Sequence, residues 1–462
     1  MNLKGISYYL SYFCFPISIL SLINIIYSYY FNFFLSLDAY LITLIISLSL
    51  GVSFFYFGRS SNKKINLIEQ LLLIILIYLI VGLLISIPFY LGNFNINFIS
   101  AFFEAISGLT GTGFSIFENI KYLDPTIIIW RSSSQWIGGL YFLIFLTFLF
   151  SNKIFNFKMT QLTFSGNSNF ISEENIKNSI LKIFIFYTLL SFIFLVFLKL
   201  SGVRLFNSLN LSMTLISGGG FLPTNSLIDI IITNFQKIVL IFSFLISILN
   251  FYIVMNIFSK NDILKNHRED IYLVLTAAIF ILFVFFNNFD GLNLVAAVLS
   301  SLANSGISIV KAENNLSLYF LLITIVGGSL ISNTSGIKLA RFYILIKITS
   351  YEIIKLISPN SVVNKTIFNS ENKITDENIK FSFLIFISFF LSIFILSSLL
   401  LIDNIEFERS FKLSILTLTN TVNSNIYGLN NLDFSSLFLS SKISLIIFMI
   451  IGKIELISVF LI

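Results

Sequence analysis

The sequence predicts an all-α polytopic membrane protein, and three observations support this fold class. Hydrophobic residues make up 56% of the 462 residues and charged residues only 11%, with a mean hydropathy of +0.94. A soluble domain could not cover so apolar a chain with water-compatible surface, so most of the chain must lie in lipid. Apolar runs of membrane-spanning length follow one another, and a pattern of span, short helix, polar loop and span occurs four times.

Charge and residue usage exclude several classes of function. The formal net charge is +6, but the Lys and Arg residues lie mainly in loops between apolar runs, which is typical of membrane orientation and not of nucleic-acid binding. The single cysteine, Cys14, excludes an internal disulfide and a cysteine-based metal cage, and the single histidine, His267, lies in a charged loop. We find no His/Cys/Asp cluster at ligand spacing and no HExxH or GxSxG motif, so the sequence predicts neither an enzyme nor a bound cofactor.

Two plain spans come before the repeats, at Tyr8–Tyr30 and Ala39–Phe57. The first lacks a small-residue cleavage site and exceeds the apolar region of a signal peptide, so we expect it to be retained. Basic residues follow the second span, at Arg59, Lys63 and Lys64. By the positive-inside rule they place that side of the membrane, and the N-terminus with it, in the cytoplasm.

Four copies of the repeat follow these spans. We divide the chain into 1–64 for the two N-terminal helices, 65–155 and 156–262 for repeats one and two, 263–358 for repeat three with its polar loop, and 359–462 for repeat four. The paired spans are predicted at Leu67–Tyr90 and Ile127–Phe150, Ile183–Leu200 and Ile228–Phe258, Ile271–Phe289 and Leu316–Ile348, and Phe381–Ile402 and Phe434–Ile462. Each copy leaves and re-enters the cytoplasm, so we expect the copies to share one orientation around a pseudo-fourfold pore along the membrane normal.

Each copy contains a helix too short to cross a bilayer, followed by a loop of small residues. The four loops align as TGTGF at 110–114, SGGGF at 217–221, ANSGI at 303–307 and VNSNI at 422–426. Non-helical backbone at membrane depth is tolerated where it is buried in protein or lines water, and its carbonyl oxygens can replace the hydration shell of a cation. The sequence therefore predicts one cation pore built from four loops; the alternative is that these small residues only pack between helices.

Two runs resemble a known family, SGLTGTGFS at 107–115 and WRSSSQWIGG at 130–139. They are similar to the Trk/Ktr/HKT superfamily of potassium transporters, and the second run, together with the two extra N-terminal spans, indicates a TrkH-like membrane subunit. Further matches are GGF at 219–221, GGS at 327–329, SGIK at 335–338 with Arg341, and GKIE at 452–455. The resemblance extends over nearly the whole chain.

The resemblance implies potassium uptake across a bacterial inner membrane, driven by the membrane potential or by symport, through a filter with one glycine per repeat. These positions are Gly113, Gly220, Gly306 and, in the fourth copy, Asn425. The implied potassium-binding residues are Thr110, Gly111, Thr112, Gly113, Gly218, Gly219, Gly220, Asn304, Ser305, Gly306, Asn423, Ser424 and Asn425. Because Asn425 replaces the usual glycine, a sodium-permeable or weakly selective cation transporter of the same fold is the alternative. Asparagine tolerates the positive φ that such a turn requires.

Small polar residues interrupt the second span of repeat three, GGSLISNTSG at 327–336, so its helix must break or be satisfied by protein or water. The resemblance implies a gate loop here, with gate residues Ser329, Ser332, Asn333, Thr334, Ser335 and Gly336; the alternative is an interhelical packing contact. Lys453 in the last span is expected to form an electrostatic barrier or to pair with this loop. Its alternatives are pairing with Glu455 and snorkelling to the membrane edge.

Two further charges lie in or near helices of repeat one. We expect Glu104 to face the vestibule of the pore or to accept hydrogen bonds from nearby backbone, and Arg131 to be structural. By resemblance, the partners are membrane lipid, a second copy in a homodimer, and a separate cytosolic nucleotide-binding regulatory subunit that docks on the Lys-rich loops. No nucleic-acid partner is expected, and potassium is the substrate.

Overall fold

The structure is a computed structural model, and it describes residues 2–60, 65–92, 94–151, 176–253, 268–285, 291–309, 316–359, 365–368, 373–429 and 432–454. Within these ranges the chain is helical, and the one β pairing there is an isolated bridge between Thr366 and Lys373. Several residues named in the sequence predictions lie outside the described residues: Lys63, Lys64, His267, Glu455 and the span ends Phe258, Phe289 and Ile462. The all-α fold class is confirmed.

Two helices of membrane length form an N-terminal hairpin, α1 (Leu3–Phe31) and α2 (Leu37–Gly58). They approach each other closely at Gly58, where a Cβ would lie 2.6 Å from the carbonyl oxygen of Lys4. The hairpin is joined to the rest of the molecule by Tyr141, whose hydroxyl donates to the Phe13 carbonyl at 2.7 Å. The two predicted N-terminal spans are therefore helices packed against the body formed by the repeats.

The remaining helices follow the predicted pattern of the repeats. Repeat one contains α3 (Leu67–Leu91), α4 (Phe98–Thr110) and α5 (Pro125–Ser151), and repeat two contains α6 (Ile176–Leu200), α7 (Leu205–Ser217) and α8 (Asn234–Ile248). Repeat three contains α9 (Arg268–Phe285), α10 (Gly291–Leu302), α11 (Ser317–Val326) and α12 (Leu339–Ile357), and repeat four contains α13 (Asp376–Ile402), α14 (Phe407–Leu418) and α15 (Leu439–Ile454). Among the described residues, α1, α2, α3, α6 and α13 are long and apolar enough to cross a membrane.

Each repeat has a short helix directly after its first span, and we call these four, α4, α7, α10 and α14, the pore helices, after the role that the resemblance implies. They contain 12 or 13 residues. At 1.5 Å per residue that is about 18–20 Å, well below the ~30 Å apolar thickness of a bilayer. Each pore helix packs on spans of its own repeat and on helices of an adjacent repeat, so the four ends are held by the helices around them.

Two glycines set how closely a span approaches the end of a pore helix. In α5, a Cβ on Gly138 would overlap the Leu109 carbonyl near the end of α4. In α15, a Cβ on Gly452 would overlap the Leu418 carbonyl at the end of α14. The same contact therefore occurs in repeats one and four, and in each case only a residue without a side chain permits it.

The span predicted at Ile228–Phe258 is shorter in the structure. Helix α8 begins only after the capping box formed by Thr233 and Gln236. It ends where the backbone amide of Asn250 donates to the Asp270 carboxylate at 2.8 Å instead of to a helical carbonyl. A cap at each end therefore limits this helix, although the apolar run continues beyond it; residues 254–258 lie outside the described ranges.

The segment predicted at Leu316–Ile348 is divided into α11 and α12. Gly327 has a φ of 66° and ends α11, and Gly327–Lys338 has no regular helix before α12 begins. This is the break that the small polar residues predict, since they offer the backbone other hydrogen-bond partners than a helix. We call Gly327–Lys338 the gate loop.

Candidate functional site

The four pore helices end in the same kind of turn. One or two residues after each helix the backbone is left-handed, with a φ of 80° at Gly111, 66° at Gly218, 55° at Asn304 and 49° at Asn420. Glycine and asparagine adopt this conformation at the lowest cost. In repeats two, three and four, the amide of this residue donates to the carbonyl three residues back, and the next amide donates five residues back. This is the Schellman ending, which satisfies the last carbonyls of a helix.

The chain beyond these turns brings all four loops into contact. Two residues after each left-handed position come Gly113, Gly220, Gly306 and Val422, which we call the loop ring. A Cβ on Gly113 would lie 2.7 Å from the Gly220 Cα, and a Cβ on Gly306 would lie 2.7 Å from the Val422 carbonyl oxygen. A Cβ on Gly220 would lie 3.1 Å from the Ser305 carbonyl oxygen. At three of the four positions, therefore, the neighbouring loops leave no room for a side chain.

The fourth loop has a different register from the predicted one. The sequence alignment places Asn425 at the glycine position, but Val422 occupies it in the structure. The reason is that α14 ends at Leu418, before the loop aligned at 422–426 begins, so Asn420, and not Asn423, makes the left-handed turn. Asn425 instead begins a short 3-10 helix and is exposed. Apart from Val422, all residues from 419 to 425 are small and polar, so an alignment by residue type cannot fix the register.

A cavity of about 320 Å³ lies against the loop ring, and we call it the vestibule. Its lining includes Gly113, Gly220, Val422, Asn423, Ser424, Asn425 and the charged residues Glu118, Arg131 and Asp433. The other predicted filter residues, Thr110, Gly111, Thr112, Gly218, Gly219, Asn304, Ser305 and Gly306, are buried at the ends of the pore helices. The structure thus divides the predicted set into ring, turn and vestibule positions.

A buried ion pair supports the first loop from behind. Arg131 Nε lies 2.8 Å from Glu104 Oε1, and neither side chain is more than 1% exposed. The other carboxylate oxygen of Glu104 accepts from the Ile116 amide at 2.9 Å, and Arg131 Nη2 donates to Ser115 Oγ at 2.9 Å. The guanidinium also lies 4.1 Å from the ring centre of Phe221, which follows Gly220. Glu104 accepts from backbone as predicted, while its pairing with Arg131 could not be predicted from spacing.

The gate loop is attached to the ends of neighbouring helices. The Ser329 amide donates to the Ile248 carbonyl at the end of α8 at 3.0 Å. The Leu330 amide donates to the Glu269 carboxylate in the first turn of α9 at 2.9 Å. The start of the loop is therefore anchored to repeat two and to the first helix of its own repeat.

The gate loop also folds around a cation of its own. The ammonium group of Lys338, which ends the loop, donates to the Ser332 carbonyl at 3.2 Å and to Thr334 Oγ1 at 3.0 Å. It donates to the Thr334 carbonyl as well. Oxygen atoms of the loop thus surround a charge that is completely buried, and they stabilise the tight turn of the loop.

The middle of the gate loop touches a pore helix and the last span. Asn333 Nδ2 donates to the Ile216 carbonyl near the end of α7 at 2.8 Å, and the Asn333 carbonyl accepts from Lys453 Nζ at 2.8 Å. Lys453 is only 3% exposed, and its ammonium lies 4.7 Å from the ring centre of Phe142. Lys453 therefore pairs with the gate loop, which is one of the predicted alternatives, and it does not snorkel to the membrane edge. The other predicted gate residues Ser329, Ser332, Thr334 and Ser335 are buried, and Gly336 has a φ of 83°.

Comparison with known proteins shows which proteins this chain is similar to. No family model matches the sequence. The chain is 28% identical to an uncharacterized cation transporter of Methanocaldococcus jannaschii, over 78% of this chain and 76% of the relative. It is 23% identical to the Trk system potassium uptake proteins TrkG, over 91% of this chain and 90% of the relative, and TrkH, over 89% and 88%, both from Escherichia coli K12. This chain is a homologue of the Trk system potassium uptake proteins.

The fold agrees with this relationship. The crystal structure of the potassium transporter TrkH from Vibrio parahaemolyticus matches with a TM-score of 0.86 and 18% sequence identity, and the match covers 100% of this chain and 98% of that one. Both the Trk resemblance and the polytopic helical architecture predicted from the sequence are confirmed. The relatives are transporters and uptake proteins by name.

Three buried polar residues of this Trk homologue were given no role from the sequence, Gln135, Lys338 and Asn420. Gln135 Oε1 accepts from the Phe221 amide at 3.1 Å and so orients the second loop. Gln135 and Lys338 belong to the QWIGG and SGIK runs, and a polar side chain inside an apolar span is itself an indication of function. Asn420 has no such indication, because it lies among other polar residues.

Proposed function

We propose that this chain is a potassium uptake subunit of a bacterial inner membrane, with its N-terminus in the cytoplasm. It moves ions and carries out no covalent chemistry, potassium is its substrate, and no cofactor takes part. The observation that carries the proposal is the meeting of four pore-helix ends at the loop ring. Each end contributes partial negative charge and carbonyl oxygens, which is what a dehydrated cation requires. The Trk homologues support potassium as the ion.

The proposed filter consists of the predicted loop residues, with Val422 taking the position that the sequence alignment gives to Asn425. The proposed gate is the gate loop, with Ser329, Ser332, Asn333, Thr334, Ser335 and Gly336. Lys453 holds the loop through the Asn333 carbonyl and adds a positive charge that opposes the passage of cations. Uptake then requires the gate loop to leave the position it has in this structure.

Rubidium uptake by proteoliposomes tests the proposal, together with growth rescue of a potassium-uptake-deficient bacterium at limiting potassium. The wild type should take up rubidium and support growth. Gly113→Ser should abolish both, because a left-handed non-glycine residue costs about 1–2 kcal/mol and the new Cβ would lie 2.7 Å from the Gly220 backbone. The matched control is Gly291→Ser, where a Cβ meets no described residue within 4 Å, and it should behave as wild type. A wild type without uptake, or a fully active Gly113→Ser variant, would refute the function.

Weakly selective or sodium-permeable transport is the second candidate, and Val422 favours it. A Cβ on Gly220 would collide with the Val422 side chain and would lie 3.0 Å from its Cγ1. The side chain of Val422, in repeat four, therefore contacts Gly220 in repeat two, although these two repeats are not consecutive in the chain. An apolar group inside a ring of carbonyl oxygens offers no ligand to a cation and narrows the passage.

Replacing Val422 separates the two candidates. Val422→Gly restores four glycines in the loop ring and should raise rubidium uptake relative to sodium uptake severalfold. Asn425→Gly changes an exposed residue of the same loop and should leave the ratio unchanged. If Asn425→Gly shifts the ratio and Val422→Gly does not, the register predicted from the sequence is the functional one. Equal uptake of sodium and potassium by the wild type would favour the second candidate.

The proposal also covers the partners of this chain and the boundaries of its repeats, and both are inferred from the family resemblance. We propose that two copies form a homodimer in the lipid bilayer and that a separate cytosolic nucleotide-binding subunit docks on the Lys-rich loops. We retain the repeat boundaries 1–64, 65–155, 156–262, 263–358 and 359–462. Purification from native membranes should yield a dimer together with a soluble nucleotide-binding protein, and repeated isolation of a monomer without one would contradict both partner proposals.

A further inference from the structure

Two asparagines connect the gate loop to the ends of the pore helices. Asn304 makes the left-handed turn after α10, and Asn420 makes the equivalent turn after α14. Both side chains are buried, and both contact Ser335 of the gate loop. In repeats one and two the turn positions are Gly111 and Gly218, which have no side chain. The link is therefore specific to repeat three, which contains the gate loop, and repeat four.

Asn304 binds the backbone of the gate loop. Its Oδ1 accepts from the Ser335 amide at 3.2 Å. Its Nδ2 donates to the Thr324 carbonyl in α11 at 2.9 Å and to Thr421 Oγ1 of the fourth loop at 3.3 Å. One amide group thus joins the third loop, the fourth loop and the gate loop.

Asn420 binds the side chain of the same serine. Its Oδ1 accepts from Ser335 Oγ at 2.9 Å. Its Nδ2 donates to Thr112 Oγ1 of the first loop at 3.0 Å and to the Met449 carbonyl of α15 at 2.9 Å. Thr112 and Ser335 are therefore connected through one side chain whose donor and acceptor groups are all in use.

We propose that Asn420, together with Asn304, couples the gate loop to the filter, so that displacement of the gate loop loosens Thr112 and a change at Thr112 loosens the gate loop. When Ser335 moves away, the buried oxygen atoms of both asparagines lose their donor, which is costly in a dry interior. Rotation of Asn420 toward a new donor breaks its bond to Thr112. Coupling of this kind is reciprocal by thermodynamic necessity. The inference rests on the proposed function, since it names how the filter and gate of that function communicate.

The test measures exposure of the gate loop without requiring ion flow. Ser329 is buried, and its hydroxyl has no hydrogen-bond partner among the described residues, so Ser329→Cys in a Cys14→Ala background is a small change. The rate at which a methanethiosulfonate reagent labels this cysteine in proteoliposomes reports how often the gate loop leaves its position. Loss of one hydrogen bond to the loop should accelerate labelling up to about tenfold.

The decisive comparison uses Thr112→Val, which alters the filter end of the link. Thr112→Val and Asn420→Gly should each accelerate labelling, and the double variant should label at the rate of Asn420→Gly alone, because the two changes break the same link. Asn420→Gly keeps the left-handed turn. If it does not fold, Ser335→Ala replaces it in the same comparison. The matched control is Ser414→Ala on the same pore helix, whose hydroxyl donates within α14 to the Ser410 carbonyl at 2.7 Å and contacts no other described residue through a hydrogen bond. This variant should leave labelling unchanged.

Two results would overturn the coupling. One is a Thr112→Val variant that labels at the wild-type rate, and the other is a double variant in which the two accelerations multiply. Rubidium uptake measured in the same proteoliposomes keeps this question separate from the proposed function. A wild type that takes up no rubidium but shows the expected labelling pattern refutes potassium transport and leaves the coupling intact. Normal uptake with multiplying accelerations refutes the coupling alone.

Discussion

The buried pair of Glu104 and Arg131 should be the point at which the first of the four loops is most sensitive to substitution. Glu104→Gln retains the shape of the side chain and removes its charge, so the Arg131 guanidinium stays buried without a counterion. Breaking a buried ion pair from one side costs about 3–5 kcal/mol. The carboxylate also accepts from the Ile116 amide, and the new amide group has only one oxygen to serve both donors. We therefore expect a loss of about 3–5 kcal/mol, a large part of the ~5–15 kcal/mol that stabilises a typical protein.

The free energy of unfolding, measured by SDS titration in mixed micelles, checks this expectation. Glu118→Gln is the matched control, since it makes the same chemical change at an exposed residue of the vestibule and should cost less than about 0.5 kcal/mol. The double variant Glu104→Gln, Arg131→Met removes both charges and should recover at least half of the loss, because neutral groups of similar volume often replace a buried pair without penalty.

Rubidium uptake should also be sensitive to the loss of the Glu104–Arg131 ion pair. Arg131 lines the vestibule beside Gly113, and Glu104 neutralises it. In Glu104→Gln, an uncompensated cation faces the approach to the loop ring, so rubidium uptake should fall more than stability alone explains, and it should rise again in the double variant. A Glu104→Gln variant as stable and as active as Glu118→Gln would show that the pair neither holds the first loop nor shields the vestibule.

Two further predictions concern Gly138 in α5, which packs on the end of α4, and Lys453 in α15, which binds the gate loop. Gly138→Ala places a methyl group on the Leu109 carbonyl, so α5 must move away from α4, and stability should fall by about 1–3 kcal/mol in the same SDS titration. Lys453→Met keeps the length of the side chain but removes the ammonium that binds the Asn333 carbonyl, so rubidium uptake should become several times faster. The exposed Lys199→Met of α6 should leave uptake unchanged, and slower uptake by Lys453→Met would contradict its role as a barrier.

Much of the fold could be predicted because lipid imposes strong rules. A pore helix of 12 or 13 residues cannot span the bilayer, and the small residues that follow can only be buried or face water. Gly113, Gly220 and Gly306 could be located because a crowded turn requires glycine. The fourth loop could not, since Asn420, Asn423 and Asn425 lie within six residues and asparagine tolerates the same turn. Only the length of α14 decides among them.

The contacts that join the loops were beyond prediction from one sequence. Asn420 and Thr112 are separated by 308 positions, and Asn420 and Ser335 by 85. Periodicity and spacing report which residues share one helix, and they carry no information about which ends of different helices meet. The polar residues of the gate loop indicated a break in the helix, but their partners became visible only when four helix ends were placed together.

The charges around the gate loop bear on how it is held. The four pore helices carry about −0.5 charge at each C-terminal end, or about −2 in all. One ammonium group lies close to such an end, since Lys453 Nζ would be 3.9 Å from a Cβ on Gly111, the residue after α4. The ammonium of Lys338 is enclosed by oxygen atoms of the gate loop. Under the proposed function, a potassium ion that enters the loop ring adds a further positive charge near Lys453. Repulsion would then act on Lys453, whose ammonium donates to the Asn333 carbonyl of the gate loop, so we expect occupancy of the proposed filter to weaken the attachment of the loop.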